Sequence, residues 1–337
     1  MTSESKPPWQ VICLTPVRNE AWILRAFLTA ASEWADTIVV ADQGSDDDSG
    51  EIAREFPKVR LVQNDSPVFD ELLRQRLLID YARKIPGPKL LVALDADEFL
   101  TPDFFSGSWV GQLVSAGPGA VLCAPLLNVR PGLTHFWVGL PALVIGVFDD
   151  GRPHEGRRIH ATRVPCGPDA PRVQVAPGGL LHWQYTAWSR MLSKQRWYQC
   201  WERVNYPDRN PLRLYRQYHH MDAITASQLQ ALPPAWLEWF SRRGVELDRI
   251  SAPPPFWWDR EVLQFMSIHG ARYFRRDAIW DVNWRELADG LGLGDVDRFK
   301  DPRRVWHRWL HAWLRLTQCF ERALPVRIVD RFLRALF

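Results

Sequence analysis

Nowhere in the sequence do two cysteines fall in a CxxC pair. The five present, Cys13, Cys123, Cys166, Cys200 and Cys319, are scattered and odd in number. That excludes a zinc ribbon and argues against a disulfide scaffold, and a reducing cytosol fits. Charge of one sign is missing too: 42 basic and 39 acidic residues leave +3, so no field points to DNA or RNA. Long apolar runs are missing as well. The longest, Val138 to Phe148, contains Pro141 and falls short of the roughly 20 residues that a membrane-crossing helix needs. The polar, proline-bearing start, Met1 to Gln10, does not read as a signal peptide. There is no internal repeat and no low-complexity segment.

What remains is the composition of a folded protein, 46% hydrophobic and 24% charged, which argues against wholesale disorder. The 337 residues are enough for two domains, or for one large α/β domain with additions, and can bury a core without staples. The count of 18 tryptophans stands out. A flat apolar face with one N–H donor serves sugar stacking, a large core or a membrane interface.

The first 125 residues alternate strand and helix signals. Trp9 to Thr15, Thr37 to Ala41, Val59 to Gln63 and Lys89 to Leu94 read as short, continuously apolar strands. Glu20 to Ser32, Ser49 to Phe56 and Phe69 to Lys84 read as the helices between them, the last broken by Pro86 and Pro88. This alternation predicts an α/β fold with a mainly parallel sheet covered by helices on both faces. Residues 119–185 look like mixed or antiparallel strands and loops. From Trp188 the pattern turns helical, with Trp188 to Arg203 the clearest stretch. The expected division is a catalytic domain over 1–235 and a helical, Trp/Arg-rich extension over 236–337.

The chemistry concentrates at strand ends. Asp95-Ala96-Asp97 follows the fourth strand, and two carboxylates one residue apart at such an edge face the crevice where open α/β sheets bind ligands. Carboxylates favour Mg²⁺ or Mn²⁺, and such an ion bridges to a diphosphate and neutralises its charge as it leaves. A solvated acidic turn is the plain alternative. Two further turns share that edge: Thr15-Pro16-Val17-Arg18-Asn19-Glu20 after the first strand, and Asp42-Gln43-Gly44-Ser45-Asp46-Asp47-Asp48-Ser49 after the second. Asp42 is set to accept hydrogen bonds from a base or ribose. Gly44 permits a tight turn, and Asp47 or Asp48 can cap the helix that follows. The residues alone imply a metal–phosphate crevice.

The P-V-x-N-E turn, the D-x-G-S-x-D turn and the L-D-A-D-E strand end resemble, in order and spacing, those of the family 2 glycosyltransferases, whose fold is the nucleotide-sugar-binding GT-A type. The match covers about the first 100 residues. It implies that Pro16, Arg18 and Glu20 line the nucleotide pocket and that Asp42 reads the nucleobase. It implies further that Asp95 lies near ribose and metal, and that Asp97 ligates Mn²⁺ or Mg²⁺. The family also places an arginine near the diphosphate from the helix before this strand, where Arg74 and Arg76 both qualify. Downstream, His182-Trp183, Trp188, Lys194, Arg196 and Tyr198 are similar to a segment of bacterial family 2 enzymes that build lipopolysaccharide cores. There the histidine completes the metal site and the basic residues meet the diphosphate, as imidazole ligation and a cation beside a leaving diphosphate allow. The alternative is a hydrogen-bonded His182 in a strand, with Lys194 and Arg196 on a solvated helix face.

An inverting transfer needs a base for the acceptor hydroxyl. The family's usual acidic pair is not at its usual place, which leaves Asp149, Asp150 and Glu155, with Asp150 and Glu155 as the catalytic choices. Arg157-Arg158-Ile159-His160 is either a phosphate holder or an exposed loop rim. Trp183, Trp188, Trp197 and Trp201 surround the His182 to Tyr198 segment, where stacking on a sugar or acceptor is one reading; helical spacing assigns most of them to a core. Trp306, Trp309, Leu310, Trp313, Leu316 and Phe320 recur at helical spacing among arginines in 303–323. That helix either packs on the catalytic domain or lies on a membrane surface.

The expected protein is a cytoplasmic, metal-dependent glycosyltransferase, at most peripheral to the inner face of the membrane. It moves a sugar from a nucleotide diphosphate sugar, a UDP-sugar first among them, to a hydroxyl of a glycan or lipid-linked acceptor. No nucleic acid partner is expected. A nucleotidyltransferase is disfavoured because Thr15 to Glu20 holds neither glycine nor lysine. A non-catalytic carbohydrate-binding or membrane-associated protein on the same fold is the other rival.

Overall fold

A computed structural model describes residues 9–336. Its strands are β1 Gln10–Val17, β2 Thr37–Asp42, β3 Val59–Gln63, β4 Lys89–Ala93, β5 Glu98–Leu100, β6 Val121–Val129, β7 His135–Phe148, β8 Arg172–Gln174, β9 Leu180–His182 and β10 Gln230–Ala231. The first five helices are α1 Ala21–Ser32, α2 Ser49–Arg54, α3 Glu71–Arg83, α4 Trp109–Ala116 and α5 Trp188–Asn205. They are followed by α6 Pro211–Tyr218, α7 Pro234–Ser241, α8 Trp257–His269, α9 Trp284–Gly290, α10 Val305–Thr317 and α11 Leu324–Leu336.

The strands form one sheet in the order β3-β2-β1-β4-β7-β6-β9-β5. The β3-β2-β1-β4 half is wholly parallel, and β7 then enters antiparallel between β4 and β6. The α/β class with a parallel leading half is as expected. The physical cause is legible in the strands. Alternate side chains point to opposite faces. Cys13, Ile38, Val40, Leu90 and Val92 pack under α1 and α2, while Ile12, Leu14, Val39, Leu91 and Ala93 pack under Leu78, Ile79 and Ala82 of α3. A strand covered on both sides has no polar face to show, hence its unbroken apolar sequence. The side chain of Asp70 caps α3 by accepting from the Leu73 amide at 3.0 Å.

The chain divides into two compact units, but not at 235. The first comprises the residues up to Thr186 together with Gln230–Ala252; the second comprises Ala187–Leu229 and the residues from Pro253 on. The excursion has a local cause. β10 pairs antiparallel with the start of β7, Gln230 opposite Phe136. That brings α7 with it, where Phe240 joins the core and Trp236 Nε1 donates to Asp103 at 3.0 Å.

The second unit is helical. α5 carries several buried charges: Arg203 forks Asp277, with Nη2–Oδ1 at 2.9 Å, and Glu202 takes Arg209 and the Tyr218 hydroxyl. From α6, Arg216 reaches Asp330 of α11 at 3.1 Å. Trp197 and Trp201 are buried here, and Trp183 is buried in the first unit, so these three are core, as their spacing predicts. The expected helix over 303–323 is α10, but its apolar residues split. Leu310 and Leu314 are buried, whereas Trp309 is 72% and Leu316 75% exposed.

Candidate functional site

The strand order fixes where a site can form. The chain steps from β1 to β2 to β3 in one direction, and α3 then carries it back to β4 on the other side of β1. Pairing of β1 with β4 runs only to Leu14 opposite Ala93. Beyond it the two carboxyl ends diverge, the crevice where open α/β sheets take ligands. Pro16 lies past that point, paired only to Ala41 of β2, so its missing N–H interrupts no ladder with β4.

The first two turns are laced together. The amides of Asn19, Glu20 and Ala21 donate to Ser45 Oγ, Ser49 Oγ and Asp47 Oδ2 at 2.9, 2.9 and 3.0 Å. Asn19 and Asp46 exchange two further bonds. Asp47 therefore caps α1 across the gap, and its Oδ1 also accepts from the Ser49 amide; Asp48 makes no capping bond. Asp42, buried at the end of β2, uses Oδ1 for the Ser45 amide and hydroxyl at 3.0 and 2.6 Å. Gly44 has φ +63°, a conformation glycine takes without strain. Glu20 accepts from Trp22 Nε1 at 2.6 Å, and Arg18 follows β1 at the same edge.

The third strand end holds the strongest electrostatics. The Asp95 amide donates to Glu98 Oε2 at 2.9 Å. Arg163, arriving from a loop 65 residues downstream, grips both Glu98 oxygens, with Nη2–Oε1 at 2.7 Å. It also lies 3.5 Å from Asp95 Oδ2. Burial alone would lower the Arg163 pKa, but Glu98 and Asp95 outweigh it and raise it further, so the guanidinium is a permanent cation. Arg163 and Glu98 were not among the sequence-derived site residues. Glu98 is the last residue of L-D-A-D-E, whereas no local pattern marks Arg163.

Asp97 is 3% exposed, and its Oδ2 is buried without a hydrogen bond. Opposite stands His182, whose strand pairs antiparallel with β5, Glu98 against His182. His182 Nε2 is 3.9 Å from Asp97 Oδ2, and Nδ1 is 2.8 Å from Asn128 Oδ1 on β6. A carbonyl oxygen only accepts, so Nδ1 donates to Asn128, and Nε2 is the nitrogen turned to Asp97. The Asn128 amide is seated against Gly139, where a Cβ would come within 2.4 Å of Nδ2. A carboxylate oxygen, an imidazole nitrogen and a partner that orients the imidazole form a donor set suited to a divalent cation. Among the described residues no third His, Cys, Asp or Glu joins them as a closed cluster.

The other expected site residues are dispersed. On α3, Arg74 lies over the Phe69 ring at 5.6 Å, and Arg76 Nε donates to the His154 carbonyl at 2.8 Å. Asp150 is not at this edge. β7 runs antiparallel to β4 with Phe148 opposite Leu90, so Asp149 and Asp150 emerge beside the start of β4, about 20 Å from its Asp95 end at strand rise. There Asp149 pairs with Arg83, and Asp150 pairs with Arg152 at 2.7 Å. Burial works to raise the Asp150 carboxyl, but the Arg152 contacts win and hold it below the usual range. Glu155 is exposed on the loop that returns along α3. Lys194 and Arg196 belong to the second unit. Lys194 sits 5.8 Å over Trp258, and Arg196 is a buried fork on Asp281 at 3.0 Å, with Asp259 at 3.5 Å. Arg196 is therefore not on a solvated face.

No protein-family model matches the chain, and none of the curated proteins is a detectable relative. Among solved structures it is similar to glucosyl-3-phosphoglycerate synthase from Mycobacterium tuberculosis in complex with Mn²⁺, UDP and glucosyl-3-phosphoglycerate. That likeness is 19% identical, covers 37% of this chain and 45% of that one, and has a TM-score of 0.25. It is also similar to a 4-diphosphocytidyl-2C-methyl-D-erythritol synthase, at 17% identity, 42% and 76% coverage and a TM-score of 0.30. A mycobacterial protein is matched at 22% identity and a TM-score of 0.27, over 37% of this chain and 42% of that one. The chain thus spans less than half of two of these three structures. Likenesses of this size carry nothing about activity, and the functional reading rests on the site.

Proposed function

We propose that the protein is a nucleotide-sugar-dependent glycosyltransferase of family 2 type, acting on a hydroxyl of a glycan or lipid-linked acceptor. One observation carries the reading: a buried Asp97 oxygen without a hydrogen bond, 3.9 Å from Nε2 of a His182 that Asn128 orients, in the crevice at the sheet's switch point. Leaving a carboxylate oxygen so placed costs free energy unless a ligand meets it. Mn²⁺ or Mg²⁺, which takes one or two protein ligands beside substrate phosphates, would be held by Asp97 and His182, with Asp95 nearby. When bound, the ion neutralises charge on a departing diphosphate.

The chain's own groups supply the rest. Asp42, with Oδ1 occupied by its turn, keeps Oδ2 for a base or ribose donor. Pro16, Arg18 and Glu20 border the same pocket, and Arg74 or Arg76 approaches from α3. Arg163 keeps the carboxylate cluster from repelling a diphosphate. Of the two base choices, Glu155 is retained as exposed, and Asp150 is not carried forward because it lies at the other edge. Lys194, over Trp258, and Arg196, on Asp281, are engaged within the second unit and are not carried forward as diphosphate contacts.

A thermal-shift series with nucleoside diphosphates, with and without Mn²⁺, tests this. A ligand that binds only the native state raises the melting temperature by mass action. The expected result is a Mn²⁺-dependent rise with one nucleotide that disappears in Asp97→Asn and His182→Ala. No rise with any nucleotide would sink the proposal.

A further inference from the structure

Ten of the twenty large apolar side chains that the described residues expose lie between Val305 and Leu336, under a tenth of the chain. They are not scattered. At 100° per residue, α10 buries His307, Leu310, His311 and Leu314 on one face and turns Val305, Trp309 and Leu316 out on the opposite one. α11 repeats the plan. Val326 and Asp330 are buried, while Leu324, Ile328, Phe332 and Leu336, each four residues on, form an outward stripe that is 59–73% exposed. Beside that stripe run Arg327, Arg331 and Arg334; beside the α10 stripe run Arg308 and Arg315.

We infer that α10 and α11 are an interfacial anchor that seats the protein on an anionic lipid surface. Charge selects this occupant. Residues 303–336 hold eight arginines against Glu321 and Asp330, a net +6 in a chain of net +3, so the remainder is negative. Asp330 pairs with Arg216 inside the unit, and Asp301 takes Arg303 and Arg308; Arg304, Arg315, Arg322, Arg327, Arg331 and Arg334 then stand against Glu321 within 303–336. Apolar stripes with tryptophan, flanked by arginines whose stems reach up to phosphates, are what the headgroup layer accepts. A symmetric pairing of two copies through these stripes would set arginine stripe against arginine stripe. Spanning is excluded for the described helices, none of which is long and apolar enough to cross a membrane.

The test is flotation of the full chain with phosphatidylcholine vesicles, with and without phosphatidylglycerol. Binding is expected only with phosphatidylglycerol, and it should weaken in about 1 M salt, where the Debye length is about 3 Å. The combined change Trp309→Glu and Phe332→Glu, at two largely exposed positions, should abolish flotation. Replacing Arg327, Arg331 and Arg334 by alanine should weaken it about 100-fold. Unchanged circular dichroism in both variants separates lost anchoring from lost folding. Three results would each overturn the inference: no flotation of the wild type, flotation untouched by either variant, or a wild-type dimer that the Trp309/Phe332 change dissolves while vesicles stay bare. Flotation needs no sugar donor, so its failure leaves the transferase proposal standing, and the reverse also holds.

Discussion

Substituting Arg163 by methionine strands a carboxylate. The Glu98 side chain has no solvent exposure, and that of Arg163 is 18% exposed. Without the guanidinium, Glu98 keeps the Asp95 amide at 2.9 Å but loses its charge partner. Removing one member of a buried pair costs about 3–5 kcal/mol; the surviving amide bond puts the expected loss near 3 kcal/mol. Glu98→Gln is milder, about 1–2 kcal/mol, because Arg163 still has the Asp95 carboxylate and the Ala93 carbonyl in reach. Removing both, Arg163→Met with Glu98→Leu, should cost only about 1–2 kcal/mol, chiefly from the orphaned Asp95 amide. The double variant is then more stable than Arg163→Met alone. Urea unfolding read through hydrogen exchange of β4 amides reports on the first unit separately. A cost for Arg163→Met under about 1 kcal/mol, the value of a solvent-screened pair, would refute the reasoning. So would a double variant whose cost equals the sum of the singles.

Three further outcomes are expected. Asp97→Asn removes a buried charge whose Oδ2 has no hydrogen bond, so the ligand-free protein should hold its stability or gain about 1 kcal/mol while losing its metal response; a loss above about 2 kcal/mol would mark Asp97 as structural. Gly139→Ala pushes a Cβ into the Asn128 amide and should cut Mn²⁺ affinity by about 10–100-fold through His182, which isothermal titration would read. In the second unit, burial and then Arg275 and Arg276 push the His307 pKa down to about 4. Burial does the same for His311, to about 4, against the Arg276 carbonyl and aided by Arg303. The unfolded chain therefore binds more protons below about pH 6.5, and stability should fall with pH down to about 4, by up to ~1.4 kcal/mol per pH unit for each histidine. Urea midpoints from about pH 7 to about pH 5 check this, and His307→Asn with His311→Asn should flatten the curve.

The sequence by itself determined the elements of the leading half-sheet. β3 has the expected bounds, and α1, α3 and β4 differ from expectation by one or two residues at their ends. The reason is local: apolar period, strand length and cap residues are written into neighbouring positions. The three strand-end motifs were legible for the same reason, since successive parallel strands send their carboxyl ends to one edge. Tertiary structure alone decided what meets them. His182 reaches Asp97 because β9 pairs with β5, and Asn128 orients it from β6. Arg163 reaches Glu98 from a loop with no motif. Asp150 moves to the far edge because β7 runs antiparallel to β4, a direction no local pattern encodes. The division of the chain follows from two residues of β10 finding β7. In α10 the spacing announced an amphipathic helix, but which side is buried depended on the second unit supplying Tyr215 and Leu212 against Leu310 and Leu314. Periodicity fixes that a helix has faces; only packing chooses the one that faces inward.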